Sequence, residues 1–150
     1  MTAANEELVS ALPMEQAVRV AEAVADAERT TSGELKVVLT RYCWGPLLHK
    51  GEALFRKHKL HETRERNAVM ILVVLKNREL LLFGDRGIDE HVEDGFWVET
   101  RDAMLTHLRD GRLADGLIDG IGRIGERLAE HFPAGADNPD ELSNEVVYDG

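Results

Sequence analysis

Carboxylates stand out in a short loop that follows two apolar stretches, residues 84–89, with the sequence Gly-Asp-Arg-Gly-Ile-Asp. Asp85 lies between Gly84 and Gly87, so the backbone can bend there and direct both a side chain and a carbonyl oxygen towards one ion. Calcium and magnesium prefer such oxygen ligands. The sequence therefore predicts a divalent-cation site at this acidic loop (residues 84–89).

The predicted metal ligands form a set of four carboxylates, with calcium favoured over magnesium as the ion. They are Asp85, Asp89, Asp94 and Glu34. Each of the last three has a second interpretation that stays open: Asp94 as the N-cap of a helix, Asp89 as a hydrated turn residue, and Glu34 as the partner of Arg41 or Arg66.

The residues of a familiar covalent phosphatase cannot be found in the sequence. Cys43 is followed six positions later by His49 instead of an arginine, and neither a Gly-x-Ser-x-Gly elbow nor a P-loop is present. A bound cation could still activate water and stabilise phosphoryl oxygens. Two functions therefore remain open, a cation-binding interaction module and a metal-assisted hydrolase of phosphomonoesters, and no catalytic residue is assigned.

The composition of the chain indicates in which cellular compartment it works and which classes of partner it can bind. The chain has 150 residues, 43% of them hydrophobic, and a formal net charge of -10, which predicts one globular domain with little attraction to nucleic acid or anionic membranes. The single cysteine excludes an internal disulfide, and residues 1–13 lack the features of a secretory signal. We therefore expect a cytoplasmic protein that binds a divalent cation and, as a further option, another protein.

Hydrophobic periodicity places the elements that must hold the loop. It predicts helices over residues 14–30 and 47–58, one ending at Arg109, and a last one ending at Pro133; the predicted strands are residues 34–40, 68–75 and 79–83. The last two strands are close enough to form an antiparallel hairpin, which makes the sheet mixed.

The ends of the chain are predicted to lie outside this domain. We divide the sequence into a lead segment (1–13), a domain (14–133) and an acidic, mobile tail (134–150) that contains no Lys or Arg. A tail of this kind could dock on a basic protein, so its deletion should leave stability almost unchanged.

Five short motifs resemble those of the TPM domain family, whose members include thylakoid lumen phosphatases, photosystem repair proteins and receptor modulators. They are residues 31–35 (Thr-Ser-Gly-Glu-Leu), 65–72 (Glu-Arg-Asn-Ala-Val-Met-Ile-Leu), 83–88 (Phe-Gly-Asp-Arg-Gly-Ile), 95–97 (Gly-Phe-Trp) and 131–133 (His-Phe-Pro). The resemblance is strongest to the short bacterial members, and Ala68 stands where the family usually has glycine. It implies an α/β fold, a three-layer α/β/α sandwich around a small mixed sheet. It also implies either divalent-cation binding or a weak acid phosphatase activity.

Overall fold

Two adjacent parallel strands, β1 (Glu34–Thr40) and β2 (Ala68–Val74), form the centre of the sheet in a computed structural model that describes residues 3–135 and 143–150. Every residue of both strands is buried, as expected for strands covered by helices on both faces. Strand β3 (Glu79–Gly84) pairs antiparallel with β2, and β4 (Val147–Tyr148) pairs parallel with β1, which gives the order β3-β2-β1-β4. The predicted hairpin and mixed sheet are confirmed.

Helices cover the two faces of this sheet. They are α1 (Ala3–Ala11), α2 (Met14–Glu28), α3 (Leu47–Lys57), the short α4 (Arg86–Asp89), α5 (Phe96–Arg109) and α6 (Leu113–His131). Leu35, Val37 and Leu39 point into a core shared with α2, α5 and α6, whereas Val38 points into a core shared with α3. The predicted three-layer α/β/α arrangement follows from this alternation. No helix in the described parts of the chain has both the length and the apolar character needed to cross a bilayer.

Glycines in α6 allow neighbouring helices to approach its backbone closely. A Cβ atom at Gly120 would lie 2.3 Å from the Met104 sulfur of α5, and one at Gly125 would lie 2.9 Å from the Ala27 Cβ of α2. Gly122 faces away, with nothing within 4 Å. Glycine therefore permits close helix packing on two sides of α6, against α5 and against α2.

The N-terminal lead segment is part of the domain. Leu8 and Leu12 are fully buried in the core that also contains residues of α2 and α6. Glu7 also pairs with Arg41 at 2.7 Å and with Lys76 at 3.1 Å. The hydrogen bond from Lys76 is the main cause that lowers the pKa of Glu7. These contacts tie α1 to the ends of β1 and β2.

The prediction of a mobile acidic tail is wrong for residues 143–150. Val147 and Tyr148 pair with Val38 and Leu39, and the Tyr148 hydroxyl donates to the Leu12 carbonyl at 2.8 Å. This strand could not be predicted from composition because only two of its residues pair and acidic residues surround them. Of the rest of the predicted tail, Ala134 donates its N–H to the Thr30 carbonyl at 3.2 Å, and residues 136–142 lie outside the described residues.

Candidate functional site

Three short segments meet at one edge of the sheet. They are the residues around the start of β1 (31–34), those around the start of β2 (65–68) and the acidic loop after β3 (84–89). We call these segments together the motif edge, because they contain three of the five motifs identified in the sequence. Ligands of open α/β sheets usually bind at the carboxyl ends of the parallel strands, whereas this edge is at their amino ends.

An ion pair between Arg66 and Asp85 dominates the motif edge. The guanidinium makes two contacts, Nε to Oδ2 at 2.6 Å and NH2 to Oδ1 at 2.9 Å. These hydrogen bonds raise the pKa of Arg66 above its ordinary value. The Asp85 side chain is 6% exposed and that of Arg66 is 35% exposed, so solvent reaches the pair from the arginine side.

Asp85 also begins helix α4. Its Oδ1 accepts a hydrogen bond from the backbone N–H of Arg86 at 2.8 Å, and its own N–H donates to the Ala68 carbonyl at 2.9 Å. A buried carboxylate needs such donors, because burying it without partners would be costly. The acidic loop is therefore bound to β2 through both the side chain and the backbone of Asp85.

Gly87 brings the acidic loop against the segment before β2. Its N–H donates to the Arg66 carbonyl at 2.8 Å. A Cβ atom at Gly87 would lie 2.2 Å from the Glu65 carbonyl oxygen, a distance that backbone atoms cannot accommodate without moving. Glycine is required here for close contact between two backbone segments, and this explains its place in the motif.

Polar side chains before β1 and β2 form a second network. The Asn67 amide donates to Ser32 Oγ at 3.2 Å and to Glu65 Oε2 at 3.1 Å. Thr31 Oγ1 donates to the Phe132 carbonyl at 2.5 Å and accepts from the Gly33 N–H at 3.0 Å. The Thr-Ser-Gly and His-Phe-Pro motifs therefore join the start of β1 to the end of α6.

Two of the predicted metal ligands lie on either side of β2, at the same level of the sheet. Glu34 pairs with Ala68 in the parallel register, and Asp85 continues the antiparallel register on the other side of Ala68. With strands about 4.8 Å apart, the Cα atoms of Glu34 and Asp85 are separated by roughly 10 Å and their side chains leave the same face of the sheet. Glu34 is 2% exposed and Asp85 is 5% exposed.

The other two predicted ligands are elsewhere. Asp89 is exposed and accepts a hydrogen bond from Trp97 Nε1 at 2.9 Å. Asp94 is exposed, and the N-cap of α5 is its neighbour Gly95, without a capping side chain. In the described parts of the chain, no three His, Cys, Asp or Glu side chains are grouped so that they could hold a metal ion. The four carboxylates therefore do not form one ready-made metal centre.

Sequence reasoning missed the part that Arg66 plays in the site. The sequence offers Arg66 as one of two arginine partners for Glu34, yet Arg66 makes a two-point pair with Asp85. The available signal was the register of the hairpin, which brings the residues after β3 next to those before β2. Trp44, outside the motif edge, is 90% exposed, with its ring centroid 5.3 Å from that of Tyr42.

Comparison with known proteins identifies the family. A family model of the TPM domain matches residues 8–127. The BA42 protein of the psychrophilic bacterium Bizionia argentinensis is 33% identical with a TM-score of 0.86, and the alignment covers 92% of this chain and 95% of that one. The N-terminal domain of a P. gingivalis protein has the same fold at 23% identity and a TM-score of 0.67, covering 83% of this chain and 82% of that one. No curated protein matches the chain. With the family model matching most of its length, the chain belongs to the TPM domain family.

Proposed function

We propose that this TPM domain is a binding module that takes a divalent cation, calcium in preference to magnesium, at the motif edge. The observation that carries the proposal is that Glu34 and Asp85, two nearly buried carboxylates, flank the small side chain of Ala68 on one face of the sheet. Two carboxylates leave most of the six to eight calcium ligands to carbonyl oxygens and water. Asp89 and Asp94 are not needed for a site of this kind.

Arg66 is the counter-charge that such an ion would replace. The guanidinium sits on both oxygens of Asp85, where a cation would also bind, and it is the more exposed member of the pair. Its side chain can therefore move into solvent while Asp85 stays in place. Binding is then an exchange of one positive charge for another, which makes the affinity weaker than that of a dedicated calcium site.

Calorimetric titration with calcium and with magnesium tests this exchange. Asp85→Asn and Glu34→Gln should abolish saturable binding, whereas Arg66→Gln should tighten it by at least about tenfold because a competing charge is removed. Asp94→Asn is the matched control and should bind like the wild type. Absence of saturable binding in both the wild type and Arg66→Gln would contradict the proposal and favour a scaffold that binds another protein.

Hydrolysis of p-nitrophenyl phosphate, measured in the same samples, tests the alternative function, a metal-assisted phosphatase. The metal-assisted phosphatase requires turnover that depends on the added cation and disappears in Asp85→Asn. Cation binding without turnover supports the binding module. The cytoplasm remains the compartment that we propose, on the grounds of the single cysteine.

A further inference from the structure

A cavity of about 700 Å³ opens at the far end of the sheet from the motif edge. It lies where β2 ends, between the last turns of α5 and the end of α1. Its size falls within the range of about 300 to 1,000 Å³ that is usual for small-molecule sites. None of the residues assigned to the cation site borders it.

The body of the cavity is apolar. Apolar residues from three helices and from the end of β2 and the position after it line the cavity, namely Ala11, Val73, Leu75, Leu105, Leu108 and Leu113. Val73 is 4% exposed and belongs to the main core, so it forms a fixed wall. A ligand that fills this space must present a hydrophobic surface.

The charges that border the cavity are mainly positive. Arg78 comes from the turn before β3 and Arg109 from the last turn of α5, and Glu79, the first residue of β3, is the carboxylate among the lining residues. Glu79 accepts a hydrogen bond from the Asn77 amide at 2.9 Å. Across the described ranges, neither guanidinium has an ion-pair partner.

Arg78 occupies a strained backbone position. Its φ is 52°, in the left-handed region where glycine or asparagine would be the easier residue. Lys76, in the same turn, is already paired with Glu7 at 3.1 Å. The turn therefore holds an arginine at a backbone position that does not favour one, and that arginine borders the cavity.

We propose that this cavity binds a small organic carboxylate with an apolar body, independently of any cation at the motif edge. The hydrophobic part fills the space between α5 and β2, and the carboxylate lies at the opening, where the guanidinium groups of Arg78 and Arg109 donate to it. Arginine suits this role because its planar donor geometry matches a carboxylate.

The test uses probes that share one body and differ in charge. Naphthalene-2-carboxylate, 2-naphthylmethanol and 2-naphthylmethylamine are titrated into the full chain and followed by the backbone amide signals in NMR. We expect the carboxylate to bind at least about tenfold more tightly than the alcohol, and the amine most weakly. The shifted amides should belong to residues that line the cavity.

Variants of the lining residues distinguish the contribution of the two arginine charges from that of the apolar cavity. Arg78→Gln and Arg109→Gln should each weaken binding of the carboxylate about fivefold or more without changing that of the alcohol. Arg101→Gln, at an exposed position of α5 outside the cavity, is the matched control. Ala11→Phe should fill the cavity and weaken binding of every probe. Equal binding of the three probes, unchanged affinity in both arginine variants, or shifts confined to another surface would each overturn the proposal.

Discussion

Arg66 and Asp85, separated by 19 residues in the chain, close the acidic loop onto the segment before β2 with two hydrogen bonds, at 2.6 and 2.9 Å. The two loops come together because β2 and β3 form one hairpin, whose register places Asp85 beside Ala68. The acidic loop, which suggested a metal site in the sequence, therefore also connects β3 to the segment before β2.

Asp85→Asn should lower the free energy of unfolding by about 2 kcal/mol. Asparagine keeps the size of the side chain, but it removes the charge that pairs with Arg66 and one acceptor from a nearly buried site. Urea unfolding measures the change. Asp89→Asn, an exposed position on the same loop, is the control and should stay within about 0.5 kcal/mol of the wild type. Equal stability of the two variants would argue against a structural role for the pair.

Gly87→Ala and Gly122→Ala should change stability in opposite directions. A methyl group at Gly87 meets two backbone carbonyls, which cannot move aside as a side chain can, and we expect a loss of about 3 kcal/mol. Gly122 is exposed inside α6 with nothing within 4 Å, so alanine should add about 0.5 to 1 kcal/mol through higher helix propensity. Thermal unfolding of both proteins gives the comparison. A stable Gly87→Ala protein would contradict the close packing of the two loops.

Removal of residues 143–150 should destabilise the domain strongly, contrary to the expectation for a mobile tail. The deletion removes β4, exposes one edge of β1 and leaves the Leu12 carbonyl without its Tyr148 donor. Tyr148→Phe isolates the hydroxyl and should cost about 1 kcal/mol. Guanidinium unfolding of the deletion protein and of Tyr148→Phe separates the contribution of the Tyr148 hydrogen bond to stability from that of the whole strand.

Asp149 should make the stability of the C-terminal strand depend on pH. Burial raises its pKa, but the hydrogen bonds from Lys57 and His58 outweigh this and leave the pKa below its ordinary value of 3.8. Because the folded-state pKa is the lower one, the stabilising contribution is present above pH 4 and is lost as the pH falls through the folded value.

Unfolding of wild type and Asp149→Asn between about pH 2 and pH 6 checks this pH dependence. The difference in unfolding free energy between the two proteins should shrink at the acid end. A difference that does not change with pH would show that Asp149 acts through packing alone. Asp102→Asn, an exposed residue of α5, serves as the control.

Much of the fold could be predicted because its signals are local. Strand β1 was placed with its observed bounds, Glu34–Thr40, from the alternation of Leu35, Val37 and Leu39. Strand β2 is apolar on both faces, which is the pattern of a central strand covered on each side. Such patterns depend on neighbouring residues only, so a single sequence is enough to reveal them.

The errors concern contacts between distant parts of the chain. Strand β4 has only two residues, in an acidic segment, and its partner Val38 lies more than 100 positions earlier. The pairing of Arg66 with Asp85 likewise depends on the hairpin register and not on either loop alone. Composition pointed to the acidic loop, but only the fold shows which positive charge already faces Asp85.

The parallel pairing of β4 with β1 also has a consequence during synthesis. Strand β1 emerges from the ribosome early, whereas Val147 and Tyr148 are added more than 100 residues later. During translation, therefore, the β1 edge at Val38 and Leu39 has no strand to cover it, and unpaired edges of this kind promote association between chains. A nascent domain stalled before residue 147 would be the form most in need of a chaperone.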